Sequence, residues 1–201
     1  MPKVGMEPIR RQQLIEATIS SIGRHGLADT TVARIGAAAG LSTGIIHHYF
    51  GDKDGLLEAT LRSLIERLRQ EVVARLRRAE TPRQRLDAII AGNLAPEQFD
   101  PDSVAGWLAL WVQSAHDPAL ARLRRVNTRR LRSNLRHPLR RMLPAAEVEP
   151  AALAVAALID GLWLHAALSA GNFDLQTAHE TVNAVVERLL LNSPATKDPR
   201  P

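Results

Sequence analysis

The chain is 201 residues long, 45% apolar and 23% charged, the balance of a soluble globular protein with room for one large domain or two small ones. It contains no cysteine, which excludes disulfide scaffolds, thiol catalysis and Cys-ligated zinc. The net charge of +5 is unevenly spread: residues 1–60 carry six basic and six acidic side chains, residues 61–141 carry 17 against 8, and residues 142–201 carry 3 against 7.

A basic chain invites a nucleic-acid reading, but here the excess lies in the middle of the sequence. The start, Met1–Glu7, has no apolar run of the kind a secretory signal needs. The longest apolar stretch, Ala151–Ile159, stops at Asp160 and is too short to span a bilayer. The expectation is a cytoplasmic, soluble protein without a membrane partner.

Helical spacing dominates from end to end. Pro8 opens a first helix whose apolar stripe includes Leu14, Ile15, Ile19 and Ile22, and Gly26 closes it. Asp29-Thr30-Thr31 supplies cap candidates for a short helix that Gly40 breaks, and Ser42 can cap the next, Thr43–Tyr49. A long fourth helix follows, with Leu57, Leu61, Leu64, Leu68, Val72 and Leu76 at three- and four-residue spacing. Pro82, Pro101, Pro118 and Pro150 each stand where a new helical pattern begins, as first-turn proline predicts. Helices are therefore predicted over about 82–95, 102–115, 118–141, 150–170 and 174–191. The fold class is all-α, about nine helices. An N-terminal three-helix domain over 8–52 precedes a larger helical domain over 53–192, and 193–201 forms a disordered tail.

Residues 31–50 carry the most informative pattern: helix, glycine turn, helix, the plan of a helix-turn-helix whose second helix enters a major groove by its amino end. Val32, Ile35, Leu41, Ile46 and Phe50 are the expected core of this unit. Ser42, Thr43, Gly44, His47, His48 and Tyr49 are then left to face outward, with Lys53 opening the fourth helix beside them. Hydroxyls, helix-terminal amides and a cation suit phosphate oxygens, and Thr or His reaches base edges. The alternative, a merely compact helical corner, does not explain a polar cluster at a helix amino end.

One motif points elsewhere. Gly40-Leu41-Ser42-Thr43-Gly44 fits the G-x-S-x-G nucleophile elbow of serine hydrolases, with Asp160 and His165 following in the right chain order. The elbow needs a strand before the serine, and Ala37-Ala38-Ala39 is a good helix and a poor strand. An enzyme is therefore not expected. The histidines contain no H-x-x-x-H pair, and no nucleotide-binding glycine loop is present, so neither a metal nor a cofactor is expected.

The aromatics suggest a ligand. Trp107 and Trp111 are i, i+4, and Trp163 follows Asp160 by three within an otherwise apolar helix that should be largely buried. A buried carboxylate needs a partner, and tryptophan faces beside a carboxylate are what a quaternary ammonium prefers. Tryptophans at helical spacing are usually core, however, and a lone buried Asp is usually satisfied by an Arg or a backbone amide.

The segment 8–60, with TTVARIGAAAGLSTGIIHHYFGDKDGLLEA inside it, resembles the TetR family of bacterial repressors. The blocks GWLALW (106–111), RRLRSNL (129–135) and AALIDGLWLHAALS (156–169) extend the likeness to choline-responsive members of that family over residues 2–192, with departures mainly in Ala95–Ser103. The resemblance implies a repressor of choline-uptake and glycine betaine synthesis genes that binds a double-stranded DNA operator as a homodimer and is relieved by choline. A family member answering to another small cationic or apolar ligand is the alternative.

By the same resemblance Thr31, Thr43, Gly44, His47, His48, Tyr49 and Lys53 fall where the family contacts DNA. Trp107, Trp111, Asp160, Trp163 and Phe99 are the implied ligand residues. The last two helices are expected to form the dimer interface. Nine arginines and no acid fall within Arg122–Arg141, a face expected to be solvated or paired with the acidic last segment.

Overall fold

A computed structural model describes residues 5–169 and 171–191. Among them are nine α-helices, a single 3₁₀ turn and no strand. The helices are α1 (Met6–His25), α2 (Val32–Ala39), α3 (Thr43–Phe50), α4 (Lys53–Leu76) and α5 (Pro82–Asn93). After the 3₁₀ turn Pro96–Gln98 come α6 (Pro101–Gln113), α7 (Pro118–Leu139), α8 (Ala145–Leu168) and α9 (Leu175–Leu191). The tail 193–201 lies outside the described residues.

Three of the four prolines begin helices as expected, each behind a cap. Thr81 and Gln84 form a reciprocal capping box before α5. Asp100 accepts from the Ser103 amide at 2.9 Å before α6, and Asp117 accepts from the amides of Ala119 (2.8 Å) and Leu120 (3.0 Å) in α7. Pro150 departs from the pattern: α8 begins at Ala145 and runs through it. The missing N–H leaves the carbonyl at Ala146 without its helical partner, and Ala146 is exposed, so water can satisfy it.

The described residues form two compact units, one of residues up to Glu66 with Asp100–Arg124, the other of Arg67–Phe99 with the chain from Arg125 onward. In the first, α1 packs against α2 and α6, and α2 against α3. Its core includes Leu14, Ile22, Ile35, Ile46, Leu61 and Leu110, all 2% exposed or less. Each such side chain contributes about 1.5–3 kcal/mol by burial.

In the second unit α9 packs against α8 and α5 around Leu86, Ile89, Val155 and Val182. The carboxyl end of α5, whose last carbonyls have no helical partner, is closed by side chains. Trp163 Nε1–H donates to the Asn93 carbonyl at 3.1 Å, and His179 Nε2 lies 2.9 Å from the Leu94 carbonyl, to which its N–H tautomer donates.

Helix α8 corrects two expectations. By length and composition it is apolar enough to cross a membrane, because the helix continues well past Asp160. Asp160 is also exposed, whereas burial was expected. Only one face, with Val148, Ala152, Val155, Ile159 and Trp163, packs into the unit. The opposite face carries Leu153, Ala157, Asp160, Gly161, Leu164 and Leu168, all exposed.

Candidate functional site

The helix-turn-helix is built as the sequence reads. Thr31 sits in extended backbone before α2, and its hydroxyl accepts from the Arg34 amide at 3.2 Å. Gly40 ends α2 in the left-handed region (φ 64°, ψ 30°), where a residue with a Cβ is strained. The Leu41 amide then turns back to the Gly36 carbonyl at 2.9 Å. Gly36 is buried against the same segment: a Cβ there would stand 2.8 Å from the Leu41 carbonyl oxygen. Ile35 and Ile46 fill the core, while Val32, Leu41 and Phe50 are half-buried.

Ser42 occupies the cap position of α3, but its hydroxyl makes no cap bond. Ser42, Thr43 and Gly44 are exposed together at the amino end of α3, where unpaired amides and a positive dipole end favour an anion. His47 and His48 are exposed further along the same helix. His47 Nδ1 lies 2.9 Å from the Gly51 carbonyl; donating there leaves Nε2 as an outward acceptor.

Tyr49 and Lys53 are less free than expected. Both are half-buried, and Lys53 Nζ donates to the Leu27 carbonyl at 3.4 Å, tying α4 to the loop after α1. Tyr49 is held through its backbone: its carbonyl accepts from Arg11 at 2.7 Å, and the same guanidinium lies 4.5 Å from the Phe50 ring centroid. Arg11 is therefore a positioning residue that sequence reading missed. Its only signal was the Arg10-Arg11 pair in the second turn of an amphipathic helix.

The aromatic candidates fall in separate units. Trp107 and Trp111, in the first, meet edge to face with centroids 5.9 Å apart, as their i, i+4 spacing predicts. In the second, buried Trp163 lies 4.5 Å from Phe99, and Phe99 stacks on Phe173 at 5.4 Å. His165 approaches Phe173 at 5.9 Å. Phe173 and His165 join the cluster without having been anticipated, although Phe173 is one of only three phenylalanines in the chain.

The arginines of α7 and of the turn after it divide. Arg132 and Arg136 pair with Glu149 of α8, and hydrogen bonding from Arg132 holds that carboxyl below the ordinary glutamate range. Arg122, Arg124, Arg125, Arg129, Arg140 and Arg141 are exposed.

The hydrolase reading fails on local structure. Gly40–Gly44 follows a helix, and Ser42 begins another, where an elbow needs a strand feeding a sharp turn.

Comparison with known proteins agrees with the helix-turn-helix. Residues 14–60 match the family described as bacterial regulatory proteins of the tetR family, and residues 82–191 match the BetI-type transcriptional repressor C-terminal domain. The HTH-type transcriptional regulator BetI of Burkholderia thailandensis is 50% identical over 192 residues, covering 94% of this chain and 98% of the relative. BetI 2 of Chromohalobacter salexigens is 49% identical, covering 94% and 93%. Among solved structures, a transcriptional regulator from Pseudomonas aeruginosa superposes with a TM-score of 0.81 at 29% identity, covering 92% of both chains. A regulator from Saccharomonospora viridis, solved in complex with choline, superposes at 0.76 with 21% identity, covering 90% and 96%. These relatives are regulators and not enzymes, and the same holds for this chain. It belongs to the TetR family of bacterial transcriptional regulators, as a DNA-binding repressor with a BetI-type C-terminal domain.

Proposed function

We propose that this repressor controls genes for choline uptake and glycine betaine synthesis, acts in the cytoplasm, and releases its operator when choline binds. The observation that carries the ligand reading is the aromatic cluster of Trp163, Phe99 and Phe173, gathered in a chain with few aromatic residues. Aromatic faces attract a quaternary ammonium through their quadrupoles, each by about 0.5–2 kcal/mol depending on desolvation. The half-buried state of Phe99 and Phe173 leaves that surface within reach of a solute. Asp160, exposed three residues before Trp163 on α8, is the candidate counter-charge, and Trp107 and Trp111 are further ligand candidates, all three on the resemblance to choline-responsive repressors.

The same reading makes the protein a homodimer. Leu153, Leu164 and Leu168 are 52%, 45% and 71% exposed along one stripe of α8, with Ala157 and Gly161 between them. A Cβ on Gly161 would meet nothing within 4 Å, so a second helix can approach closely there. A second copy packed on this stripe gives a two-fold dimer, and two α3 helices then read half-sites about 34–36 Å apart.

On DNA, Ser42, Thr43 and Gly44 hold phosphate at the amino end of α3. His47 and His48 face the groove, Tyr49 and Lys53 reach the backbone beside it, and Thr31 adds a contact at the start of α2. Choline acts by favouring one of two conformations, and only its differential affinity for them shifts DNA binding. Because α4 is continuous from Lys53 to Leu76, a displacement along it would alter the spacing of the reading helices.

Tryptophan fluorescence titrated with choline tests the ligand. A saturable change is expected, weakened in Trp163→Phe and in Asp160→Asn. No response to millimolar choline would refute the assignment.

A further inference from the structure

Within the second unit, a cavity of about 200 Å³ lies between the later turns of α4 and the middle of α7. From α7 come Asn127, Arg130 and Asn134, spaced i, i+3, i+7 and so on one helix face. Opposite them α4 supplies an apolar wall that includes Val72 and Leu76. Arg69 adds a second guanidinium, and no carboxylate is among the lining residues.

Arg130 is half-buried and has no acidic partner among the described residues, whereas Arg132 and Arg136 on the same helix both pair with Glu149. Asn127 and Asn134, also half-buried, make no side-chain hydrogen bond among the described residues. The Arg130 guanidinium and the two amides together offer a cluster of N–H donors for which the described residues supply no acceptor. Polar groups drawn out of bulk water need partners, and a forked guanidinium flanked by amide donors matches the two oxygens of a carboxylate.

We infer that this cavity binds a short-chain aliphatic carboxylate, its anionic head on Arg130, Asn127 and Asn134 and its hydrocarbon end against Val72 and Leu76. At about 30 Å³ per water the space holds roughly six or seven waters, which sets the ligand at a similar number of heavy atoms. Arg130 has no acidic partner and no carboxylate lines the cavity, so the site takes a ligand of opposite charge to the one proposed for the aromatic cluster. It does not depend on the choline reading.

Calorimetric titration of the full-length protein with sodium butyrate, butylammonium chloride and butanol at matched ionic strength tests the assignment. Butyrate binds and butylammonium does not. Arg130→Gln weakens butyrate by about tenfold to a hundredfold, the loss expected for a charged hydrogen bond. Asn134→Asp, which puts a negative charge in the lining, and Val72→Phe, which fills the space, each abolish binding; both serve if Arg130→Gln fails to fold. Thermal melting confirms which variants are folded. Absence of butyrate binding up to about 10 mM overturns the inference. So does equal binding of butylammonium, or wild-type butyrate affinity in the folded variants.

Discussion

Gly36 and Leu41 meet backbone to backbone in the reading motif: the Leu41 amide donates to the Gly36 carbonyl at 2.9 Å, and the Leu41 carbonyl oxygen stands 2.8 Å from where a Gly36 Cβ would be. Alanine in place of glycine within a helix normally stabilises by about 1 kcal/mol. Here the obstacle is backbone, which cannot swing aside, and overpacking costs about 1–3 kcal/mol. Gly36→Ala is therefore expected to be neutral to destabilising by up to about 2 kcal/mol, and to weaken operator binding by tilting α3. Denaturant unfolding and operator titration check both; a variant more stable than wild type with unchanged affinity contradicts the close approach.

Lys53 separates a structural from a DNA role. Its bond to the Leu27 carbonyl is long, at 3.4 Å, so Lys53→Gln should cost little stability. If its ammonium also meets phosphate, the slope of log affinity against log salt falls by about one per site, or about two for a dimer. An unchanged slope with reduced thermal stability would mean that Lys53 only ties α4 to the loop.

The exposed stripe of α8 is expected to be covered by a second copy. Leu164→Arg places a charge in the middle of that stripe, where burying it unpaired is costly. Light scattering after size exclusion should show the wild type as a dimer and the variant as a folded monomer with lost operator binding. A variant that remains dimeric at micromolar concentration contradicts this interface.

Acid stability should depend on Glu149. Its carboxyl is held below the ordinary value by hydrogen bonds from Arg132 and then Arg136, so the folded state binds this proton less readily than the unfolded chain. The stabilisation is fully present above the unfolded value of about 4.3 and is lost as pH falls through the lower folded value. Melting curves of Glu149→Gln and wild type should therefore differ at neutral pH and converge in acid. Curves that diverge further in acid would reverse the sign.

Helix starts were legible wherever a proline followed a side-chain cap, as at Thr81-Pro82, Asp100-Pro101 and Asp117-Pro118. Pro150 misled because nothing local marks that Pro144 precedes it as the real start and that an exposed carbonyl can go unpaired. The reading motif was legible because turn glycine and polar amino end lie within twenty residues. Asp160 was not, since an apolar helix does not reveal which of its faces meets its own unit and which is left for another chain. The Phe99–Phe173 stack and the Arg11–Tyr49 bond join residues far apart in sequence, and periodicity carries no information on such pairs.

The central claim is a repressor relieved by choline, and operator release measures it directly. DNA selected by the purified protein from a random pool, labelled and titrated by fluorescence anisotropy, should be bound tightly without effector and at least about fivefold more weakly in millimolar choline, the lower end of typical coupling energies. Affinity that is the same with and without choline would contradict the account.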